Sequence, residues 1–185
     1  MAKIHEIDLN TMVPSSVRSD RPIKEENKKQ KIFFKDGELN ITAPGDVECM
    51  QTVESYSFPL RIDVIVKTND SNIRLYYKEG RVILNWERNK DELRVHDMMT
   101  GKSFGYFDTG RVPENEYVEV SWIIDKKETL VLVNEELRCL EENYPYMTSR
   151  AVTQNIEIRE PVKISAAWKS TITVKSMKII ELDKE

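Results

Sequence analysis

Hydrophobic and polar positions alternate along most of this chain with the period of two that half-buried β-strands require. Leu60, Ile62, Val64 and Val66 form one such apolar row. Val118, Val120, Trp122 and Ile124 form a second, set against the mixed positions Glu119, Ser121 and Ile123. A turn at Lys126-Lys127 then leads into Leu130-Val131-Leu132-Val133. From Lys31 onward, runs rich in Ile, Val, Tyr, Thr and Trp recur between Gly, Asn, Asp and Pro turn signals. Strands are expected near 31–34, 38–42, 47–53, 58–68, 72–78, 81–88, 92–97, 103–107, 116–125, 128–134, 137–141, 155–159, 162–168 and 171–182. No stretch holds a 3.6-residue apolar period long enough for a helix; the best candidate is a turn or two within 135–150. The pattern therefore predicts an all-β protein, a two-sheet antiparallel β-sandwich.

The segment from Ile73 to Asp97 yields a register. Glu79-Gly80 suits a two-residue hairpin, which would pair Tyr77 with Val82, Leu75 with Leu84 and Ile73 with Trp86. A second turn at Asn89-Lys90 would pair Trp86 with Leu93 and Leu84 with Val95. Both turns put Ile73, Leu75, Tyr77, Val82, Leu84 and Trp86 on the core face. A one-residue slip would turn the whole set into water. Trp168 is likewise assigned to the core.

The other face follows. Arg74, Asn85 and Arg94 make one row across three strands, and Tyr76, Ile83 and His96 make the next, flanked by Glu87 and Glu92. Such a face has two readings. It is a solvated sheet surface of the kind antiparallel sandwiches present, with the glutamates balancing the arginines. Or it is a polar binding surface, in which guanidinium forks and an amide suit vicinal hydroxyls or carboxylates and Tyr76 stacks on a ring. On the second reading the ligand-binding residues are Arg74, Tyr76, Asn85, Glu87, Arg94 and His96.

Composition narrows the classes. A length of 185 residues suits one domain. A net charge of −4 and a pI near 5.5 argue against a nucleic-acid partner, which would call for a basic stripe. No apolar run approaches the roughly 18 residues of a membrane span. The opening Met1-Ala2-Lys3-Ile4-His5-Glu6 breaks its apolar residues with charge, so a cytoplasmic location is expected. Cys49 and Cys139 are then expected as buried thiols rather than a bridge. Residues 15–31 carry nine charges, with Val17 and Ile23 the sole aliphatics. This reads as a solvated tether, and divides the chain into a flexible N-terminal arm, 1–30, and a sandwich domain, 31–185.

The order of these runs resembles the concanavalin A-like lectin and glucanase superfamily, the jelly rolls that include galectins and laminin-G-like modules. The resemblance rests on the Ile73–Asp97 meander, the Val118–Asp125 strand, the Leu130–Asn134 strand and the closing pair Val162–Trp168 and Thr171–Leu182. It covers roughly residues 31–182 and implies a jelly-roll fold, with galectins presenting His, Asn, Arg and a stacking Trp on three consecutive strands. Arg74, Asn85, Arg94 and His96 are similar to that layout. The galectin string H-x-N-P-R is absent, and Trp86-Glu87-Arg88 only echoes W-x-x-E-x-R, so no single galectin residue carries over. The chain is also similar to lectin-like modules attached to bacterial transcription regulators, without their DNA-binding helices.

Catalytic signatures are thin. The E-x-D-x-x-E strand motif of the superfamily's glycosidases is missing, leaving Glu87 and Glu92 as the one placeable carboxylate pair. Gly101-Lys102-Ser103-Phe104-Gly105 matches G-x-S-x-G but lacks the strand-then-helix setting of a nucleophile elbow. His5 and His96 stand apart from any Cys/His cluster, and Asn69-Asp70-Ser71-Asn72 reads as an Asx-type turn rather than a calcium loop. No metal or cofactor is expected. The Tyr144-Pro145-Tyr146-Met147 segment could rim a pocket or anchor a loop. The reading is a non-catalytic module binding a glycan or other polar small ligand. Its rivals are a protein-interaction or sensor module engaging a partner through the arm, and a divergent glycoside hydrolase.

Overall fold

In the computed structural model of the protein, the described residues are 2–18, 22–24, 28–98, 100–126, 128–142 and 157–183. Their strands are β1 (Lys3–Glu6), β2 (Val13–Ser16), β3 (Lys31–Lys35), β4 (Glu38–Thr42), β5 (Glu48–Gln51), β6 (Tyr56–Ser57), β7 (Leu60–Thr68), β8 (Ile73–Tyr77) and β9 (Gly80–Leu84). There follow β10 (Leu93–Asp97), β11 (Ser103–Tyr106), β12 (Val118–Ile124), β13 (Glu128–Val133), β14 (Glu136–Glu142), β15 (Arg159–Glu160), β16 (Val162–Ser165) and β17 (Thr171–Glu181). One sheet runs β14-β13-β12-β7-β17-β4-β3, with β1 also on β17; the other runs β11-β10-β9-β8-β16-β5-β2, and β6 pairs with β15. The strand pairs are antiparallel. This is the expected two-sheet sandwich.

The apolar rows meet between the sheets. Leu60, Ile62, Val64 and Val66 of β7, Val118, Val120, Trp122 and Ile124 of β12, and Ile73, Leu75, Val82, Leu84, Leu93 and Val95 of the second sheet belong to one buried cluster. Trp122 is fully buried because its indole N–H finds an acceptor, Thr129 Oγ1 at 2.7 Å. Cys49 and Cys139 are free and buried, and burial pushes both thiols up to about 12, so neither holds a reactive thiolate.

Several expectations need correction. In its described residues 2–17 the expected arm is part of the sandwich: β1 pairs with β17 and β2 with β5, while Leu9, Met12 and Val17 are buried. The charge density of 15–31 hid this, because Val17 packs with Cys49 and Tyr76. Residues 136–142 form the edge strand β14, matching the strand expected over 137–141, so the helical turn considered within 135–150 does not begin there. The remainder of that turn and the Tyr144–Met147 segment lie outside the described residues. Trp168 is not a core residue; it is 50% exposed.

Both meander hairpins are offset by two residues from the expected register. Leu75 faces Val82, and Val82 faces Val95. Gly80 is drawn into β9 opposite Tyr77, so the first turn is made by Lys78, at a φ of 51°, and Glu79. An even offset keeps every strand residue on its expected face, which is why the core row survives.

Candidate ligand-binding site

The outward face of the second sheet carries the row Arg74, Ile83 and Arg94 and the row Tyr76, Arg81 and His96. Asn85 belongs to neither. At a φ of 48° it turns the chain out of β9 and is fully buried. Its amide nitrogen donates to the carbonyls of Asp70 and Val112, at 3.3 and 3.0 Å, and its oxygen accepts the Val112 N–H at 2.7 Å. The side chain of Asn85 is a bracket, spent on the backbone.

That departure takes Trp86 off the core face. The chain makes a tight turn, with Asn89 N–H donating to Trp86 C=O at 3.0 Å, and returns to β10 at Leu93. Trp86 is half-buried, and its ring faces the guanidinium of Arg94 at 4.5 Å and that of Arg88 at 5.8 Å. The assignment of Trp86 to the core is therefore corrected, and an aromatic ring missing from the sequence-derived site joins it. Helical or strand periodicity could not have shown this, because the residue follows a left-handed Asn; its Trp-Glu-Arg string was the one available sign.

The same turn covers part of the face. Arg74 is buried, its Nε and Nη2 donating to Asn72 Oδ1 at 2.9 and 2.7 Å and Nη2 also to Glu87 Oε2 at 3.0 Å. Tyr76 is fully buried against Val17 and Cys49, its hydroxyl 3.0 Å from Ser165 Oγ, so it offers no stacking surface. Lys163 stabilises that covering segment, donating to Ser16 C=O at 2.9 Å.

The open sector lies over β9, β10 and β11. Arg94 Nη1 donates to Glu92 Oε1 at 2.5 Å and Nη2 donates to Ser103 Oγ. Glu92 reaches this position over Gly105, where a Cβ would stand 2.0 Å from Oε1. Arg81 Nη2 donates to His96 Nδ1 at 2.8 Å. Burial, reinforced by the charges of Arg81 and Arg94, holds His96 down to about 4. At neutral pH the imidazole is therefore uncharged, and accepting at Nδ1 places its proton on Nε2 as a donor. Each glutamate has an arginine: Glu87 with Arg74, and Glu92 with Arg94. Among the described residues no carboxylate pairs with Arg81 or Arg88 in this way, so the sector carries surplus positive charge on an acidic chain.

Of the six residues read from sequence, Arg94, His96 and Glu87 thus reach the open sector, while Arg74, Tyr76 and Asn85 lie beneath it. Trp86, Arg81, Arg88 and Ser103 complete it. Ser103, centre of the G-x-S-x-G string, begins a strand and accepts from Arg94; the nucleophile-elbow geometry is absent. The Asn69–Asn72 segment is a turn closed by Thr68 Oγ1 donating to Ser71 C=O at 2.7 Å. Among the described residues no three His, Cys, Asp or Glu side chains converge as metal ligands, and no helix is long and apolar enough to cross a membrane.

No family model matches the chain, and no curated protein sequence matches it. Solved structures share its fold. A protein with a galectin-like fold from Bacillus subtilis superposes with a TM-score of 0.67 at 10% identity, covering 96% of this chain and 92% of that one. The carbohydrate-binding module CBM66 from Bacillus subtilis gives 0.59 at 9% identity, covering 91% and 96%. The kappa-carrageenase of Pseudoalteromonas carrageenovora, solved with a kappa-carrageenan oligosaccharide, gives 0.56 at 8% identity, covering 98% and 95%. The fold is that of the concanavalin A-like jelly rolls, as the order of strands implied.

Proposed function

We propose that this chain binds carbohydrate without a covalent step, through the open sector of Trp86, Arg81, Arg88, Arg94 and His96, and that the sugar carries acidic groups. The observation that carries the reading is the Trp86–Arg94 stack standing beside two arginines, Arg81 and Arg88, that form no carboxylate ion pair among the described residues. An aromatic edge with fixed donors suits a hydroxyl-rich ring. Arg81, Arg88 and Arg94 suit a carboxylate or sulfate on it, since a guanidinium fork binds such groups through paired N–H donors. The His96 Nε2–H adds a neutral donor. The likeness in fold to a carbohydrate-binding module and to a carrageenase supports the ligand class. The pairing of both glutamates with arginines supports binding over hydrolysis, because a glycosidase needs one carboxyl free to give up a proton.

A glycan array containing neutral, uronate-bearing and sulfated oligosaccharides tests this, with wild type, Arg81→Ala and Arg94→Ala compared at low and high salt. Binding to acidic sugars that weakens in both variants and at high salt is the expected result. A silent wild type, or retention untouched by either change, overturns the reading. Sugar released from a panel of β-glucans would overturn its non-catalytic part.

A further inference from the structure

Trp168 sits where neither the fold nor solvent favours it. β16 and β17 are joined by a tight turn, with Ser170 N–H donating to Ala167 C=O at 3.1 Å. Its two central residues, Trp168 and Lys169, have φ values of 52° and 69°. Positive φ at both positions is the type I′ geometry that Asn-Gly adopts most readily. For a bulky residue such as tryptophan it is strained. The indole is also 50% exposed, so burial does not offset the strain.

The turn is built rather than loose. Trp168 N–H donates to Gly45 C=O at 3.2 Å and Lys169 N–H to Ala43 C=O at 2.8 Å. Ser170 Oγ donates to Ala167 C=O at 2.7 Å, and the Asn72 amide donates to the same carbonyl at 3.4 Å. Ala166, Ala167 and Ser170 are buried. A rigid base thus holds an aromatic face in water. Val47, on the loop that receives Trp168, is 53% exposed, and the charged Lys169 lies next to it in the turn.

Asn72 ties this turn to the site above. Its Nδ2 reaches Ala167 C=O, while its Oδ1 accepts from Arg74, which in turn holds Glu87 beside Trp86. We infer that Trp168 is a second aromatic subsite, taking a further ring of an oligosaccharide whose acidic residue lies at Trp86 and Arg94. The apolar C–H face of a pyranose packs on an indole, and its rim of hydroxyls meets Lys169. The ligand class rests on the reading of the sheet face; the location does not.

The discriminating variant replaces Trp168-Lys169 with Asn-Gly. A turn residue kept for folding would lower stability when removed. A strained platform does the reverse: the melting temperature rises, while affinity for a long acidic oligosaccharide falls roughly tenfold and affinity for a single sugar is unchanged. Binding of the long oligosaccharide at wild-type strength by this variant, or a lowered melting temperature, overturns the subsite. If Arg94→Ala abolishes binding while the turn variant keeps it, only the subsite fails. If wild type binds no glycan, both readings fail together.

Discussion

Arg94 lies across the ring of Trp86 at 4.5 Å while its Nη1 reaches the buried carboxylate of Glu92 at 2.5 Å. One guanidinium therefore anchors a ring and neutralises an acid. Arg94→Ala would leave Glu92 buried without its partner, and should lower stability by about 2 kcal/mol, read as a shift in the urea midpoint. Removing the carboxylate as well, in Arg94→Ala/Glu92→Ala, should recover most of that loss, since the cost lies in the stranded charge.

Asn85→Ala should cost more, about 3 kcal/mol. It strands the Val112 N–H and C=O and places alanine at a positive φ. Denaturant unfolding measures the loss. Ligand binding by the folded fraction should weaken too, because the bonds to Val112 hold the left-handed turn that carries Trp86 to the outer face.

His96 should make stability pH-dependent. Its folded value of about 4 lies below the ordinary 6.5, through burial and then the charges of Arg81 and Arg94. The unfolded chain therefore takes up the proton first as pH falls. This contribution is complete above pH 6.5 and is lost between about 6.5 and 4. In His96→Gln the drop in urea midpoint from pH 7 to pH 4.5 should be smaller than in wild type. Equal drops would count against the assignment.

Val17→Asp tests whether the charged N-terminal segment is solvated. A solvated residue would tolerate the change within about 0.5 kcal/mol. Packed against Cys49 and Tyr76, Val17 should instead lose about 3 kcal/mol, because the carboxylate would be desolvated among apolar groups.

Gly110→Ala should destabilise by about 2 kcal/mol. A Cβ there would stand 2.3 Å from the Glu92 carbonyl carbon and 2.4 Å from Leu93 N, backbone atoms that cannot rotate aside. At Gly105→Ala the nearest atoms belong to the Glu92 side chain, which can swing aside, so this change should cost less. Paired thermal melts rank the two.

The sandwich was legible because its evidence is periodic. The rows at Leu60–Val66 and Val118–Ile124 fix faces without reference to partners, and the two-residue offset in the Ile73–Asp97 meander left faces intact. What periodicity could not show was where a strand ends. Asn85 leaves β9 in a left-handed conformation, a choice made by its bonds to Val112, and Trp86 follows it to the other side. Tyr76 and Arg74 were correctly placed on the outer face, yet coverage by Val17 and by the 85–92 turn is a tertiary matter. Trp168 shows the same limit: a strand pattern carried it inward, whereas a turn with two positive φ values holds it outside.

The eight-stranded sheet has its keystone near the chain's far end. β17 lies between β7 on one side and β4 and β1 on the other, with Lys3 opposite Glu181. β7 and β4 therefore share this sheet only once β17, residues 171–181, is laid between them. Such distant pairings make for slow closure and expose bare strand edges meanwhile. Refolding should accordingly be slower than the local hairpins alone would allow, and more prone to association through the open edges of β7 and β4 as the protein concentration rises.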